Sequence, residues 1–531
     1  MHVQKIPFRN TNAFSGFFLS YIEAETKLKS FYSRFPSTGA FKDQIKEKSN
    51  SFSKANRTEL CKALRCQYEG INVGKAVDVN LHSLSKEKTF TVTTGHQLSI
   101  FTGPLYFVFK VVTVIKACRV LKKKYPSFHF VPVYWMASED HDYDEIKSFR
   151  LNGKKYTWKT QQQGAVGRFT TTDFKSVLEE IPGDTRVFRD AYTKSATLAG
   201  AVRQYVNELF GDYGLVVVDG DDPDLKRQIQ GVMRSDIFDH KPYSLVTKAN
   251  NRLKTLGLNP QVNPREINFF YLDAQLRSRI EQNGDTFTVL DTPLRFSRDE
   301  LDKKIQESPG NFSPNVILRP VYQELILPNL AYVGGPAELV YWLELKAVFD
   351  LFKLPFPILL PRNFGLVVDS PTARKIGRTG LPPESFFESK SDLFKRWVNR
   401  NSKNQLSLTS KAQSLAATMA AVQKSAEKID RTLGPMTAAQ AKKMQTMIRT
   451  IEQKMMRAEK RAHADGLRQV EAVKDALFPE GSLQERIDNF LNFYQTDPEF
   501  LRKLIECFDP FDFRFQVLTY HDKTGNSKKV S

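Results

Sequence analysis

Apolar residues recur at steps of three and four through much of residues 1–88, the period of helices with one buried face. Loops are expected near Pro36 to Gly39 and Asn72 to Gly74. At Thr89 the pattern changes. Thr89 to Thr93 (TFTVT) is short and β-branched, the mark of a buried strand. A Gly-containing turn follows, and Pro104 suits the first position of a helix running from Leu105 to about Lys124. The lysines closing that helix suit the negative end of its dipole. Phe128 to Ala137 (FHFVPVYWMA) reads as the next buried strand, so strand, helix and strand form a βαβ unit with parallel pairing. Gly214 to Val218 and Phe356 to Leu360 are further strands of this type, the latter preceded by a helix over Ala337 to Phe352. Residues 221–290 are more polar and mixed, as for an insertion on the core. The expected fold class is α/β: a Rossmann-like parallel-sheet core over 89–400, helical at 1–88, with its crevice beyond the carboxyl ends of the strands.

From about Leu415 the period changes again. Leu415, Met419, Val422, Ala426, Ile429 and Leu433 alternate steps of four and three, a heptad seam. Gly434-Pro435 is expected to break the helix. Met444, Met447, Ile448, Ile451 and Met455 resume an apolar face that continues to about Leu477. Residues 401–477 therefore read as a long helical coiled-coil hairpin, either a dimerisation arm or a hairpin packed on its own core. Residues 478–531 return to the core, with the last ten frayed.

Composition narrows this picture. A chain of 531 residues calls for two or three structural units. With 41% hydrophobic residues and 40 phenylalanines it has ample core material, which excludes disorder. The four cysteines make no disulfide framework, and Cys61 and Cys66 lack a second pair at metal-ligand spacing, so no metal ligands are assigned. A reducing, cytoplasmic setting fits. Polar residues interrupt any signal-like core at the N-terminus. Leu105 to Cys118, cut by Lys110 and Lys116, is too short to span a bilayer. The formal charge of +19 is spread along the chain, with 13 Lys or Arg against 7 Asp or Glu over Lys411 to Asp475. Without an RNA-binding signature this reads as a Lys-rich surface, and nucleic acid is not the expected partner. A basic, RNA-linked protein with a nucleotidylyltransferase-like core is the alternative.

Three segments carry candidate chemistry. Thr94-Gly95-His96-Gln97 leaves a strand toward a helix, where backbone amides and a helix N-terminus favour an anion; His96 would cap the helix or donate to a phosphate. Ser138 to Glu145 (SEDHDYDE) sets five carboxylates and one histidine directly after a strand. Such a concentration of like charge is costly unless a cation visits, either Mg²⁺ with a nucleotide or a substrate amine, and His141 could take a proton from that amine. In Asn315 to Glu344, Gly334-Gly335-Pro336 opens a helix with Glu338 placed to complete a cap. Arg319, read as lying near a strand end, could clamp a carboxylate. There is no Gly-x-Ser-x-Gly elbow, no cysteine nucleophile with partners and no P-loop lysine.

At these residues the chain resembles a known family. TTGHQLSIFTGPLYFVFK, VPVYWMASEDHDYDEI, RPVYQELILPNLAYVGGPAELVYWLELKAVF, RAEKRAHADGLRQVEAVKDALFPEGSLQERIDNFLNFY and the closing PFDFRFQVL match, in order and spacing, the cysteine ligase (BshC) family of bacillithiol biosynthesis. The resemblance implies a Rossmann-like core, addition of cysteine to the amino group of glucosaminyl-malate, and a homodimer through the coiled coil. It favours Asp140, His141 and Asp142 as catalytic residues. Gly95, His96, Gln97 and Gly103 are then expected to hold a cofactor, and Glu139, Arg319, Gly334, Gly335 and Glu338 the substrates. Forming an amide from a free carboxylate needs activation, so ATP with Mg²⁺ is expected, through an adenylate or acyl phosphate. A non-catalytic dimeric scaffold supporting another ligase is a further alternative.

Overall fold

The computed structural model describes residues 1–520. At its centre lie five parallel strands: β1 (Thr89–His96), β2 (His129–Met136), β3 (Val216–Asp219), β4 (Asn329–Gly334) and β5 (Ile358–Pro361), in the order β5-β4-β1-β2-β3. Both faces of this sheet are covered, and its strands are correspondingly continuous in buried residues. Helix α1 (Tyr106–Lys124) crosses from β1 to β2. Phe90, Val92 and Phe130 pack in one apolar cluster and Val131 and Val133 in another, as alternation across a pleated sheet requires. This is the doubly wound order, and the chain reverses direction across the sheet between β1 and β4. A ligand crevice belongs at that reversal, beyond the carboxyl ends of the two strands.

β4 is a central strand that periodicity did not reveal. NLAYVG follows LILP without a turn signal or alternation, and its position rests on polar contacts with β1. The hydroxyls of Thr91 and Thr93 donate to Asn329 Oδ1 at 3.1 and 2.8 Å, and that of Thr94 donates to the Val333 carbonyl at 2.8 Å. Asn329 donates in turn to Glu324, which forms a fully buried ion pair with Lys48. These buried polar groups thus find partners, as burial demands.

Helix α2 (Arg319–Ile326) precedes β4 and α3 (Pro336–Leu343) follows it. Arg319 therefore opens a helix rather than lying near a strand end. Pro320 supplies the fixed φ of the first turn. The helix expected over Ala337 to Phe352 is two, α3 and a short second at Lys346–Leu351. Inserted between β3 and β4 is an antiparallel sheet of five strands, from Phe269–Asp273 to Phe312–Pro314, extending past the boundary at 290. A third sheet pairs His2–Pro7 with Arg514–Thr519 and the latter with Gly365–Val368. The N-terminal region thus begins with a strand whose partner lies some five hundred residues away, beyond the reach of local periodicity.

The arm comprises α4 (Thr409–Ile429), α5 (Leu433–Ala462) and α6 (Ala464–Leu477). α4 and α5 pack on each other. The helix breaks at Asp430 to Thr432, where Asp430 takes an extended conformation. Gly434-Pro435 lies inside the first turn of α5 and starts the helix instead of ending one, as proline near a helix N-terminus can. No helix among the described residues is long and apolar enough to cross a membrane. The fraying expected of the last ten residues falls outside the described residues.

Candidate functional site

A cavity of about 670 Å³ opens at the reversal point. β1 delivers Gly95, His96 and Gln97 to it, and the loop after β2 delivers Glu139, Asp140 and Glu145. Arg319 comes from α2, and Gly335, Glu338 and Tyr341 come from the start of α3. Lys110 of α1 and Arg362 after β5 bring further positive charge, and Arg277 enters from the antiparallel sheet.

The wall between β1 and α3 is held by Lys110 and Glu338. Lys110, 4% exposed, lies 2.6 Å from Glu338 and donates to the Gly95 carbonyl at 2.9 Å. Glu338 also accepts from the Gly335 amide and the Tyr332 hydroxyl, at 2.8 and 2.7 Å. Burial works against both charges and lowers the basicity of Lys110. The lysine nonetheless holds the Glu338 carboxyl below the usual range. The N-terminus of α3 at Gly334-Gly335 is therefore already capped by a carboxylate of the chain itself, as the spacing of Glu338 predicts. Gly334 packs tightly, since a Cβ there would meet Leu339, Glu338 and Tyr332 at 3.0 to 3.1 Å.

Other buried polar atoms lack partners. Nη2 of Arg319, Nε of Arg362, Nε2 of His96 and Oε1 of Gln97 are all buried without a hydrogen-bond partner. Arg319 donates through Nη1 to Gln323 at 3.0 Å, lies beside the Tyr341 hydroxyl, and sets its guanidinium over Tyr332 and Trp342. Unpaired buried polar groups are costly in a folded chain, and their concentration around one cavity is the signature of a site completed by a polar ligand. Burial, helped by Lys110 and Arg362, pushes His96 well below its ordinary range, and its ring stacks on Phe107 at 5.1 Å. The imidazole is therefore held toward its neutral form.

The acidic segment divides. Asp140 is engaged on both oxygens, by Gln97 on Oδ2 and on Oδ1 by the His141 amide at 2.7 Å and Arg277 at 3.2 Å. Burial opposes its charge, but His141, Arg277 and Gln97 outweigh that and hold its carboxyl below the usual range. His141 is half-exposed outside the cavity lining, with Nδ1 2.7 Å from Arg277 Nη1. Asp142 caps the helix Tyr143–Ile146 by accepting from the Glu145 amide. Of the three residues favoured as catalytic, the structure brings Asp140 into the cavity and leaves His141 and Asp142 on its outer side. Gly103 serves the turn before α1: its φ is +63°, a Cβ would meet Ser99 at 2.5 Å, and its carbonyl accepts from Asn489. It does not line the cavity.

Glu139 is 7% exposed and lines the cavity. Lys226, fully buried, lies 2.7 Å from it and donates to Asp221 at 2.8 Å. Arg168 grips Asp221 through two nitrogens at 2.6 and 3.0 Å. Burial raises the Glu139 carboxyl to about 7 against the pull of Lys226. Sequence reasoning missed Lys110, Arg277, Arg362 and Lys226. For Lys110 a signal existed: a lysine interrupting the most apolar helix of the chain must be paired where it is buried.

Residues 1–363 match the family described as bacillithiol biosynthesis BshC, N-terminal Rossmann-like domain, and residues 365–520 match its C-terminal coiled-coil domain. The chain belongs to the BshC family. Relatives named "Putative cysteine ligase BshC" include one from Cytophaga hutchinsonii, 38% identical over 98% of this chain and 99% of its own. Another, from Flavobacterium johnsoniae, is 37% identical over 97% and 99%. The boundary at residues 363 to 365 falls just after β5, and the third sheet spans it: His2–Pro7 lies on the amino side, and Gly365–Val368, Arg514–Thr519 and the arm lie on the carboxyl side. A solved chain from Campylobacter jejuni titled "putative arginyl t-RNA synthetase" aligns with 9% identity and a TM-score of 0.21, covering 78% of this chain and 98% of that one.

Proposed function

We propose that this protein joins the carboxyl group of cysteine to the amino group of glucosaminyl-malate, at the expense of a nucleoside triphosphate, in bacillithiol synthesis. The observation that carries the reading is the divided chemistry of one cavity in a BshC chain: unpaired Arg319 and Arg362 donors among carboxylates that include Glu139 and Asp140. Carboxylates and phosphates suit the first set, and a substrate ammonium suits the second. ATP fits the arginine donors better than the N-terminus of α3, which Glu338 already occupies. No group of three or more His, Cys, Asp or Glu with metal-holding geometry occurs among the described residues. Mg²⁺ would therefore arrive mainly on the nucleotide's own phosphates, and the nucleotide would supply activation of the cysteine carboxyl.

The same reading includes a homodimer formed through the arm, supported by the exposed apolar side chains of α4 and α5. The test is direct. Purified protein incubated with cysteine, glucosaminyl-malate, ATP and Mg²⁺ should yield the amide by mass spectrometry, with one nucleotide consumed per product. Product without nucleotide consumption would sink the activation step. No product in the presence of all four components would sink the ligase reading.

A further inference from the structure

Amide formation needs a free amine, and an amine of this type is largely an ammonium near neutral pH. Four carboxylates line the cavity among the described residues: Glu139, Asp140, Glu145 and Glu338. Glu338 accepts from three donors, and Asp140 is engaged on both oxygens and held ionised. Both are therefore poor proton acceptors. Glu145 is only part-buried, beside Asp142 and Asp140. Glu139 differs from all three. Its Oε1 is held by Lys226 at 2.7 Å, one cation against the three donors that engage Glu338. Glu139 thus has fewer donors than Glu338 or Asp140 and still lines the cavity.

On the reading that this cavity joins an amine to an activated carboxyl, we propose that Glu139 is the general base that takes the proton of the substrate ammonium, with Lys226 as its positioning residue. The ammonium gives one proton to Glu139, and the nitrogen lone pair forms the bond to the acyl carbon. The second proton leaves the nitrogen for the departing oxyanion or for water. The acyl carbon–oxygen bond breaks with its electron pair on the nucleotide or phosphate leaving group. The groups that set the basicity of Glu139 come from four elements. Lys226 and Asp221 follow β3, Arg168 lies on the turn Val166–Arg168, Arg277 comes from the antiparallel sheet and Tyr322 from α2. Arg168, Asp221, Lys226 and Glu139 alternate in charge, so each holds the next in place. A base whose protonation changes near neutrality is matched to its task.

Opposite perturbations of that chain test the assignment. E139Q should lower kcat by roughly 10²–10⁴-fold, with KM little changed. K226M removes the cation that favours the ionised form, so the acidic limb of log kcat/KM should move up by about one pH unit. D221N removes the neighbouring like charge and should move the limb down, and its near-isosteric change keeps the test available if K226M fails to fold. Limbs that stay fixed, or move the same way in K226M and D221N, would overturn the proposal, as would E139Q retaining kcat within about threefold. Active wild-type protein with an unaffected E139Q refutes Glu139 alone. Wild-type protein that forms no amide refutes the ligase reading and this assignment with it.

Discussion

The crevice between β1 and β4 and the hairpin of α4 and α5 are incomplete in opposite senses. In the crevice, polar atoms of Arg319, Arg362, His96 and Gln97 are buried without partners. On the arm, Val422, Ile429, Met436, Met444, Met447 and Ile451 are exposed, Ile429 at 84%. The first region pays a desolvation penalty that a polar ligand relieves. The second leaves apolar area in water that another apolar surface would cover. Polar incompleteness inside a rigid sheet marks a place for small molecules. Apolar incompleteness on long helices marks a place for protein. If the contrast holds, changes in the crevice should alter stability and chemistry, and changes on the arm should alter assembly alone.

The largest effect is expected at Lys110. K110M removes the cation facing buried Glu338 and releases the Gly95 carbonyl, and uncompensated buried charge costs about 3–5 kcal/mol. Urea unfolding at neutral pH should show that loss, and K110M/E338Q should recover part of it. A loss no larger than that of a surface lysine would mean that this wall is not held as described. Next is R319K, which keeps the charge but loses the planar donors, including the unpaired Nη2. A fall of about 10–100-fold in kcat/KM is expected, with stability little changed. Unaltered kinetics would detach Arg319 from the ligand.

How much of this contrast the sequence announced depends on how local each feature is. β1, α1 and β2 were legible because composition and turn chemistry sit within a few residues. The Gly95-to-Gln97 turn and the Glu139–Asp140 pair were legible as the ends of those strands. β4 was hidden because it is specified by Asn329 meeting Thr91 and Thr93 from a distant strand. Arg277 and Lys226 reach the site from the antiparallel sheet and the short helix Pro223–Arg227, whose docking no periodicity encodes. His141 and Asp142 looked equivalent to their neighbours in sequence, and only the turn into the helix Tyr143–Ile146 separates them from the cavity. Along the arm, the heptad steps announced long helices correctly. They could not say where the hairpin bends, because Gly-Pro serves a helix start as well as a helix stop.

Proton linkage separates the two regions further. Burial raises Asp236 and Glu344 in the core to about 7 each. Their folded values lie above the unfolded ones, so the folded state binds more protons. The associated stability is present at low pH and is lost as pH rises through about 7. Between pH 6 and 8 the unfolding free energy should fall by roughly 1 kcal/mol per group. Guanidinium unfolding at the two pH values measures this, and stability that rises instead would contradict the burial of these carboxyls.

The smallest effect on the fold, and the sharpest test of the comparison, belongs to the arm. Met447 and Ile451 are 64% and 51% exposed on α5, so M447K/I451K removes little packing from the chain itself. Surface changes of this kind usually stay within about 0.5 kcal/mol, and the unfolding midpoint of the core should hardly move. Assembly should respond differently, because two lysines per arm bring like charges together on a face that must lose water to pair. Sedimentation at micromolar concentration should therefore show wild-type protein near twice the mass of one chain and the variant at the mass of one chain. A variant that sediments like wild type would show that these side chains do not hold copies together, and the apolar face would need another occupant. A variant that loses core stability would show that the arm packs on its own core, ending the division between a crevice built for small molecules and an arm built for protein.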